Sequence, residues 1–367
     1  MTPTGAEIRQ ALNLKCASLG IPVSGNFELT PRCNLQCKMC YVRMTPEQMA
    51  PIGRERTAGE WINLAKEARD AGLAFLLLTG GEPTLREDFA EIYESLATMG
   101  LSISINTNGT MLTPEIRSLW HRLPPSQVNI TLYGVCREDY EHLCGNDDAF
   151  DKVMDALSWL SDEGILTHLN TTITPENYHR WLELENFAKD RGYELRMTNY
   201  CFPPTRRSGC DTCSEFSRLT PEQVGDLIVK DMLFREGPDA VRLRAKNLDA
   251  PLQRGCDLDV GDPIRCLAGR SQFWLTWDGR LTLCGMIDKP ATHPFEEGFL
   301  NAWESLRTQS SSIRLCPECT SCPDQKFCMN CAAVTYSETG CFDDKPEYMC
   351  QVSRAYKDAL QKLADNL

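Results

Sequence analysis

The stretch that decides the fold is FLLLTGGEP, residues 75–83, in which a short apolar run leads directly into a glycine-rich loop. A brief apolar run that ends at glycine and proline is typical of a buried strand. Glycines let the backbone approach a ligand closely, and Glu82 can accept a hydrogen bond from an ammonium group. The segment therefore predicts a strand that carries a binding loop, although a plain turn has the same composition.

Around this segment the chain alternates apolar strands with amphipathic helices. The predicted strands are residues 27–30, 75–78, 101–106, 128–132, 165–173 and 194–198. The predicted helices are residues 58–71, 87–99, 114–122, 150–163 and 176–189. Strands joined by helices form right-handed parallel crossovers. The pattern predicts an α/β fold, a partial (β/α)6 TIM-like barrel, whose chemistry collects where the strands end.

Three cysteines follow the first predicted strand, in the run CNLQCKMCY at residues 33–41. A four-iron cluster normally takes four thiolates, so three from one loop leave one iron open for a small molecule. A zinc knuckle, a disulfide loop and a ferredoxin half-site are the alternatives. Zinc prefers cysteine pairs two residues apart, which fits the first spacing poorly.

The spacing Cys-x3-Cys-x2-Cys resembles the defining loop of radical S-adenosylmethionine (radical SAM) enzymes. The resemblance implies that Cys33, Cys37 and Cys40 bind a [4Fe-4S] cluster whose open iron is chelated by S-adenosylmethionine. Residues Gly80, Gly81, Glu82 and Pro83 are similar to the family motif that holds the amino group of this cofactor. Met39, the bulky residue expected before the third cysteine, and Tyr41 are further candidate cofactor contacts.

Polar residues at the ends of later strands extend the candidate pocket. The family often places a hydroxyl at the position of Thr131 to bind the cofactor ribose. Asn106 and Asn108 are polar within an apolar stretch, although Asn108 followed by glycine also favours a turn. Asn170 is predicted to face the cofactor or substrate, and Met197 to pack on adenine or simply in the core.

The segment after the last predicted strand interrupts this alternation. Cys210 and Cys213 are candidate hydrogen-atom donors, a redox pair or a metal half-site. Arg206 and Arg207 are placed to meet a substrate carboxylate or an acidic peptide, although exposed arginines are usually only solvated. Thr220 and Pro221 predict the start of a further helix.

The C-terminal third holds a second cysteine cluster, which resembles the SPASM extension of peptide-modifying radical enzymes. One spacing departs from the family pattern, because two residues rather than three separate the last pair of the central run. The resemblance implies one auxiliary [4Fe-4S] cluster on Cys266, Cys284, Cys331 and Cys256. It implies a second on Cys319, Cys322, Cys328 and Cys350, with Cys316 and Cys341 as alternates. A zinc ribbon is the other interpretation.

The stretch from residue 271 to residue 283 alternates around Asp278 and Gly279 and predicts a β-hairpin. Such a hairpin would set Cys266 and Cys284 side by side at its open end. Metal–thiolate bonds would then stabilise a segment that has few apolar runs of its own.

Composition limits the remaining possibilities. The chain has 367 residues, 42% hydrophobic and 24% charged, which predicts a soluble globular protein of about two domains. The predicted division is residues 1–24 (N-terminal extension), 25–220 (barrel), 221–255 (helical linker), 256–355 (SPASM domain) and 356–367 (C-terminal helix or tail). The sequence shows neither an export signal nor a membrane span, which favours the cytoplasm, and the 19 cysteines favour metal thiolates and a low-oxygen cell. A net charge of −13 argues against nucleic acid as a partner and favours a neutral or basic substrate.

The resemblance implies reductive cleavage of S-adenosylmethionine to a 5′-deoxyadenosyl radical that removes a hydrogen atom from a substrate. We expect the substrate to be a ribosomally made peptide that acquires a thioether or carbon crosslink, an epimerised residue or an oxidised one. Flavodoxin or ferredoxin would serve as reductant. Since only about two dozen residues precede the first strand, we expect the peptide to be recruited by the barrel mouth or by a separate leader-peptide-binding protein.

Other functions remain open on sequence alone. Formylglycine formation in sulfatases is one alternative, but those enzymes place an acidic base next to the position of Cys284, where this chain has Gly285. Small-molecule dehydrogenation and haem side-chain chemistry are others. An electron carrier or a zinc protein would explain the cysteines, but it would leave residues 80–83 without a role.

Overall fold

The computed structural model describes residues 5–203, 218–247, 264, 266–325 and 327–366. The strands are β1 (Ser24–Glu28), β2 (Phe75–Thr79), β3 (Ser102–Thr107), β4 (Gln127–Thr131), β5 (Thr167–Thr172), β6 (Glu194–Thr198), β7 (Gln272–Leu275), β8 (Leu281–Thr282) and β9 (Ala291–Thr292). The helices of the N-terminal half are α1 (Gly5–Leu19), α2 (Pro46–Met49), α3 (Ala58–Asp70), α4 (Phe89–Thr98), α5 (Pro114–Arg122), α6 (Arg137–Cys144), α7 (Asp148–Asp162) and α8 (Trp181–Asp190). The later helices are α9 (Pro221–Glu236), α10 (Pro238–Lys246), α11 (Pro294–Glu297), α12 (Phe299–Ser311), α13 (Pro317–Thr320), α14 (Ala332–Thr339) and α15 (Glu347–Asp365).

The described strands form one sheet in the order β6-β5-β4-β3-β2-β1-β7-β8-β9. The first six strands are parallel, lie side by side in chain order and are joined by helices. This is the arrangement of a TIM-like barrel that stops after six units. The predicted fold class, a partial (β/α)6 barrel followed by a cysteine-rich region, is therefore confirmed.

Most predicted elements occur, with shifted ends. Helix α5 and strand β6 have the predicted bounds, and α9 begins with Thr220 as its cap and Pro221 at its first turn. Strand β1 was predicted to begin at Phe27 but begins at Ser24. The polar residues before Phe27 are extended because β2 and β7 pair with them from both sides. Helices α1 and α6 were not predicted.

The sheet has an apolar outer face and a polar inner face. Outward residues such as Ile105, Val128 and Ile130 are fully buried in one core with the surrounding helices. Inward residues such as Ser104 and Asn129 line a cavity inside the barrel. We call the space enclosed by the inner face the lumen. The polar side chains of the lumen can hydrogen-bond a polar ligand.

The C-terminal hairpin continues the same sheet. Strand β7 pairs in parallel with β1, and β8 returns antiparallel across Asp278 and Gly279, which confirms the predicted hairpin. The ring of Phe273 lies 5.0 Å from that of Phe299 and 6.3 Å from that of Phe27. A Cβ atom on Gly25 would lie 2.4 Å from the Phe273 ring, so glycine allows this contact. The segments on either side of the predicted linker 221–255 therefore share one sheet and one core.

Across the described residues, no helix combines the length and apolar character needed to cross a bilayer.

Candidate active site

The three-cysteine loop begins where β1 ends. Cys33, Cys37 and Cys40 are all half-buried, and none of them is in a disulfide. The backbone N–H of Leu35 donates to Cys33 Sγ at 3.4 Å, and that of Arg43 donates to Cys40 Sγ at 3.2 Å. N–H donors of this kind stabilise sulfur ligands and tune the potential of an iron–sulfur cluster.

Helix α6 supports this loop from one side. The N–H groups of Gln36 and Lys38 donate to the carbonyl oxygens of Cys144 and Leu143 at 3.0 and 3.1 Å. Contact with the buried Cys144 thiol, followed by burial, raises the pKa of Cys37. Burial raises the pKa of Cys33 to about 12. Without metal, the thiols of Cys33 and Cys37 are therefore protonated near neutral pH. Binding of an iron–sulfur cluster to these cysteines must release their protons.

The Gly80–Pro83 loop packs against the stem of the cysteine loop. Gly81 N–H donates to Thr30 O at 2.7 Å, and Glu82 N–H donates to Arg32 O at 2.8 Å. A Cβ atom on Gly80 would lie 2.4 Å from Thr30 O, and one on Gly81 would lie 2.3 Å from Arg32 O. The glycines are required because two backbones touch here, a reason in addition to the ligand approach predicted from sequence.

Glu82 is fully buried and joins the loops that follow β2 and β3. Its Oε1 accepts hydrogen bonds from Thr84 N–H at 3.1 Å, Thr84 Oγ1 at 2.6 Å and Thr107 Oγ1 at 2.8 Å. Its Oε2 accepts one from Asn108 N–H at 2.7 Å. Burial raises the pKa of Glu82, and the four donors oppose this shift. The carboxylate is thus a structural clamp here, and its predicted contact with an ammonium group stays a prediction.

Asn108 links the β3 loop to the cysteines. Its Nδ2 donates to Asn34 Oδ1 at 2.9 Å and lies 3.7 Å from Cys33 Sγ. Its Oδ1 accepts from the N–H and hydroxyl of Thr110 at 2.9 and 2.6 Å. The residue therefore forms the turn that its sequence favours and also reaches the candidate cluster site.

The other predicted cofactor contacts fall on two faces of the sheet. Asn106 Oδ1 accepts a hydrogen bond from Asn129 Nδ2 at 2.8 Å within the lumen. Thr131 and Asn170 are register partners on β4 and β5, at inward positions. Met197 instead packs against the hydrophobic core beside the buried Leu195. This is the second of the two roles predicted for Met197, a core residue rather than a contact of the adenine ring. Tyr41 packs its ring 4.8 Å from that of Phe202.

Four C-terminal cysteines surround a second site. Cys319, Cys322, Cys328 and Cys350 line one cavity of about 180 Å³. Burial, and after it the neighbouring cysteine sulfurs, raise the pKa of Cys319 to about 12. These four are the ligands that the family resemblance implies for one auxiliary cluster. Among the alternates, Cys316 is buried with its Sγ 3.4 Å from Cys319 N, whereas Cys341 is exposed.

The other predicted cluster ligands are only partly described. Cys266 precedes β7 and Cys284 follows β8, so both lie at the open end of the hairpin, beside the amino end of β1. Cys331 caps the start of α14. Cys256, Cys210 and Cys213, like Arg206 and Arg207, lie outside the described residues.

The donor set fits iron–sulfur clusters. None of the cysteines in the described ranges forms a disulfide. In the same ranges no three Cys, His, Asp or Glu side chains are grouped around one metal-ion position. A four-iron cluster binds each thiolate through a different iron, so its ligands lie farther apart than those of a single ion. Loops of half-buried thiols, with one cavity between four of them, suit the larger group.

Two functional candidates were missed from sequence. Glu28 is buried at the carboxyl end of β1, where Trp274 Nε1 donates to its Oε2 at 3.1 Å. Tyr133 contacts the Cys37 thiol, and burial raises the pKa of its hydroxyl well above the usual value. The only sequence signal for Glu28 is the alternation of side chains along β1. Since the apolar residues Phe27 and Leu29 face outward, Glu28 between them must face inward.

Comparisons with known proteins agree with this site. Residues 27–188 match the family model described as the Radical SAM superfamily. The AdoMet-dependent heme synthase of Methanosarcina barkeri is 25% identical over 338 residues, covering 88% of this chain and 94% of that protein. The PqqA peptide cyclase of Bradyrhizobium diazoefficiens is 28% identical over 173 residues, covering 47% and 45%. The structure of Streptococcus suis SuiB bound to precursor peptide SuiA matches with a TM-score of 0.68 at 16% identity, covering 94% of this chain and 80% of SuiB.

Fold, cysteine loop and family model together identify a radical SAM domain over residues 27–188. The predicted family is confirmed. S-adenosylmethionine and an iron–sulfur cluster are accordingly its cofactors. The likeness to SuiB, at 16% identity, shows the fold alone.

Proposed function

We propose that this enzyme cleaves S-adenosylmethionine reductively and modifies a ribosomally made peptide through a crosslink, an epimerisation or an oxidation. One observation carries the proposal: the cysteine loop and the Gly80–Pro83 loop touch at the carboxyl end of the strands, where Thr131 and Asn170 occupy inward positions. These two side chains offer hydroxyl and amide groups that can hydrogen-bond a peptide backbone. Peptide-related relatives support the substrate class, namely the PqqA peptide cyclase and SuiB with its bound precursor.

The chain's own residues would bind, orient and shield the reactants. Cys33, Cys37 and Cys40 would hold the cluster, and Asn108 would fix Cys33 through Asn34. When bound, the cluster and S-adenosylmethionine supply a 5′-deoxyadenosyl radical that removes a hydrogen atom from the substrate. Thr131 and Asn170 would orient the ribose and the substrate from adjacent strands. Glu28, buried on the inner face, is placed to accept a proton from the oxidised substrate.

We further propose two auxiliary clusters. Cys319, Cys322, Cys328 and Cys350 around their common cavity support one of them. Cys266 and Cys284 at the hairpin end support the other, with Cys331 and Cys256 as further ligands. These clusters would pass an electron from the substrate to a carrier such as flavodoxin or ferredoxin. A separate leader-binding protein would assist recruitment of the peptide.

Anaerobic reconstitution of the wild type and of a C33A/C37A/C40A variant tests the radical chemistry. We expect about twelve irons per wild-type chain and about eight in the variant, as three four-iron clusters require. With a strong reductant, only the wild type should release 5′-deoxyadenosine. Stoichiometric zinc, or cleavage that survives in the variant, would contradict the proposal.

Oxidation of tetrapyrrole side chains is the second candidate. The heme synthase relative matches 88% of this chain, whereas the peptide cyclase match covers 47% of it. Sulfatase-type chemistry has less support, because a Cβ atom on Gly285 would lie 2.9 Å from the Trp274 ring and an acidic side chain has no room there.

The two candidates are separated by turnover with defined probes. Under reducing conditions the enzyme is given either synthetic cysteine-containing peptides or an iron porphyrin that bears propionate groups. With peptide we expect 5′-deoxyadenosine formation together with a product of changed mass or, for an epimerised residue, incorporation of one deuterium when the reaction is run in D₂O. A mass change confined to the porphyrin would replace the peptide proposal by the tetrapyrrole one.

A further inference from the structure

The amino end of the barrel holds a cavity that the proposed chemistry does not use. It has a volume of about 360 Å³ and lies between helix α1 and the first residues of the strands. Ser24 Oγ donates to Asn13 Oδ1 at 3.1 Å, which ties α1 to the start of β1. The cysteine loop lies at the opposite, carboxyl end of the same strands.

Two arginines face this cavity without a matching number of acids. Arg9 of α1 and Arg196 of β6 both line it, and no acidic side chain is among the described residues that do. The guanidinium of Arg9 lies 4.5 Å from the centroid of the Phe75 ring, a cation–π distance. In the described part of the chain Arg9 makes no ion pair.

The charges around the cavity sum to about one positive unit. Arg196 Nε donates to Glu194 Oε1 at 3.0 Å, so one acid offsets one of the two arginines. His168 Nε2 lies 3.6 Å from the same carboxylate, and burial lowers the pKa of this imidazole, which keeps it neutral. Burial and the charge of Arg196 likewise lower the pKa of Arg9. An anion with a single charge would relieve this repulsion.

The remaining lining supplies neutral hydrogen-bonding groups. Gln127, Asn129 and Gln272 present amides to the same space. We propose that this cavity binds a carboxylate monoanion between Arg9 and Arg196, with these amides completing its hydrogen bonds. A guanidinium matches a carboxylate in geometry, and a dianionic phosphate would exceed the available charge.

The carboxylate can come from a peptide C-terminus or from an aliphatic acid, and two probes distinguish these sources. N-acetylglycine represents the first and propionate the second, with their neutral amides as matched controls. Titration calorimetry on the purified full chain should show that at least one acid binds and that its amide does not. Tighter binding of N-acetylglycine assigns the site to a peptide terminus, and tighter binding of propionate to an aliphatic acid.

Variants connect the binding to the arginines. Arg9→Gln and Arg196→Gln should each weaken the acid by about tenfold or more, the loss expected for a hydrogen bond between charged groups. Arg9→Lys keeps the charge and should weaken binding less. Arg122→Gln, an exposed arginine paired with Glu94 on the outer surface, is the control and should leave affinity unchanged.

The proposal fails if neither acid binds, if inorganic phosphate binds as tightly, or if Arg9→Gln and Arg196→Gln both keep wild-type affinity in chains with native circular dichroism. Because the readout is binding without S-adenosylmethionine, its failure is distinct from failure of the proposed radical chemistry.

Discussion

At the scale of single residues, the site depends on close contact between two backbones. Gly80 and Gly81 let the β2 loop donate hydrogen bonds to Thr30 and Arg32, at the stem of the cysteine loop. A backbone oxygen cannot move aside as a flexible side chain can. A methyl group added at Gly80 or Gly81, in the loop after β2, should therefore displace the cysteine loop.

Gly81→Ala should lower iron content without unfolding the chain. Its Cβ would meet Arg32 O at 2.3 Å and displace the loop, at a cost of about 1–3 kcal/mol in the free energy of unfolding. The measurement is iron per chain after reconstitution together with thermal unfolding. Gly59→Ala is the control, because nothing lies within 4 Å of its Cβ. Equal iron content in both variants would contradict the steric argument.

Glu82→Gln should destabilise the fold although it removes no volume. The carboxylate accepts four hydrogen bonds, and an amide NH₂ would turn a donor toward one of these donors. The expected loss is about 1–3 kcal/mol, the cost of a buried unsatisfied group. Denaturant unfolding of the metal-free chain measures it separately from cofactor binding. An unchanged midpoint would show that the clamp contributes nothing.

Sequence motifs locate this site but do not describe its internal contacts. Cys33, Cys37, Cys40 and residues 80–83 can be recognised because their spacing is local. The donors to Glu82 are Thr84, which follows β2, and Thr107 and Asn108, at the end of β3. No local sequence pattern predicts that these residues lie together. Met197 shows the opposite difficulty, since its place in the core depends on which face of β6 it occupies.

At the scale of elements, helix α6 is a support for the cysteine loop. Its last carbonyl groups accept hydrogen bonds from Gln36 and Lys38, and Gly145 ends it with a φ of +69°. A left-handed residue at this place lets the helix end directly beneath the loop.

Gly145→Ala should therefore impair the cluster through the helix end. An L-residue in the left-handed region costs about 1–2 kcal/mol. Gly192→Ala imposes a similar strain after α8, where φ is +73° and nothing lies within 4 Å. We expect similar losses of melting temperature but a loss of iron only at Gly145. Equal iron loss in both variants would mean that general instability, not α6, is responsible.

The elements missed from sequence share a cause. Helix α6 reads REDYEHLC, whose many charges hide the few apolar positions that face inward. The first residues of β1 are Ser24, Gly25 and Asn26, which have low strand propensity but are paired on both sides. In both cases tertiary contacts override local preference. Strand β7 could be predicted as part of a hairpin but not as a neighbour of β1, because the paired residues are 248 positions apart in the sequence.

At the scale of the whole molecule, one sheet connects the barrel to the cysteine-rich region. Truncation after residue 262 would remove β7 and leave β1 as an edge, with Phe27 losing its contact with Phe273. We expect this fragment to be aggregated or readily proteolysed. A chain ending at residue 315 keeps β7–β9 and α12 and should remain folded. A stable, native-like short fragment would show that the barrel is an independent domain.

The cavity between four cysteines predicts a separable cluster. A C319A/C322A/C328A/C350A variant should lose about four irons per chain and still release 5′-deoxyadenosine. The reason is that these ligands line their own cavity rather than the Cys33 loop. Iron analysis and electron paramagnetic resonance of the reduced protein check this outcome. Complete loss of iron would mean that the two sites assemble together.

The outer face of the sheet contributes most of the stability of the fold, and the inner face supplies the groups that can contact a substrate. Helices bury the outward residues, so most of the folding free energy resides there. The inward polar residues contribute little to that core, and substitutions among them should leave the protein folded. Many different sets of lumen residues are therefore compatible with a chain that stays above the stability needed to fold. This robustness offers a physical reason why a single architecture can evolve toward substrates as unlike as a peptide and a tetrapyrrole.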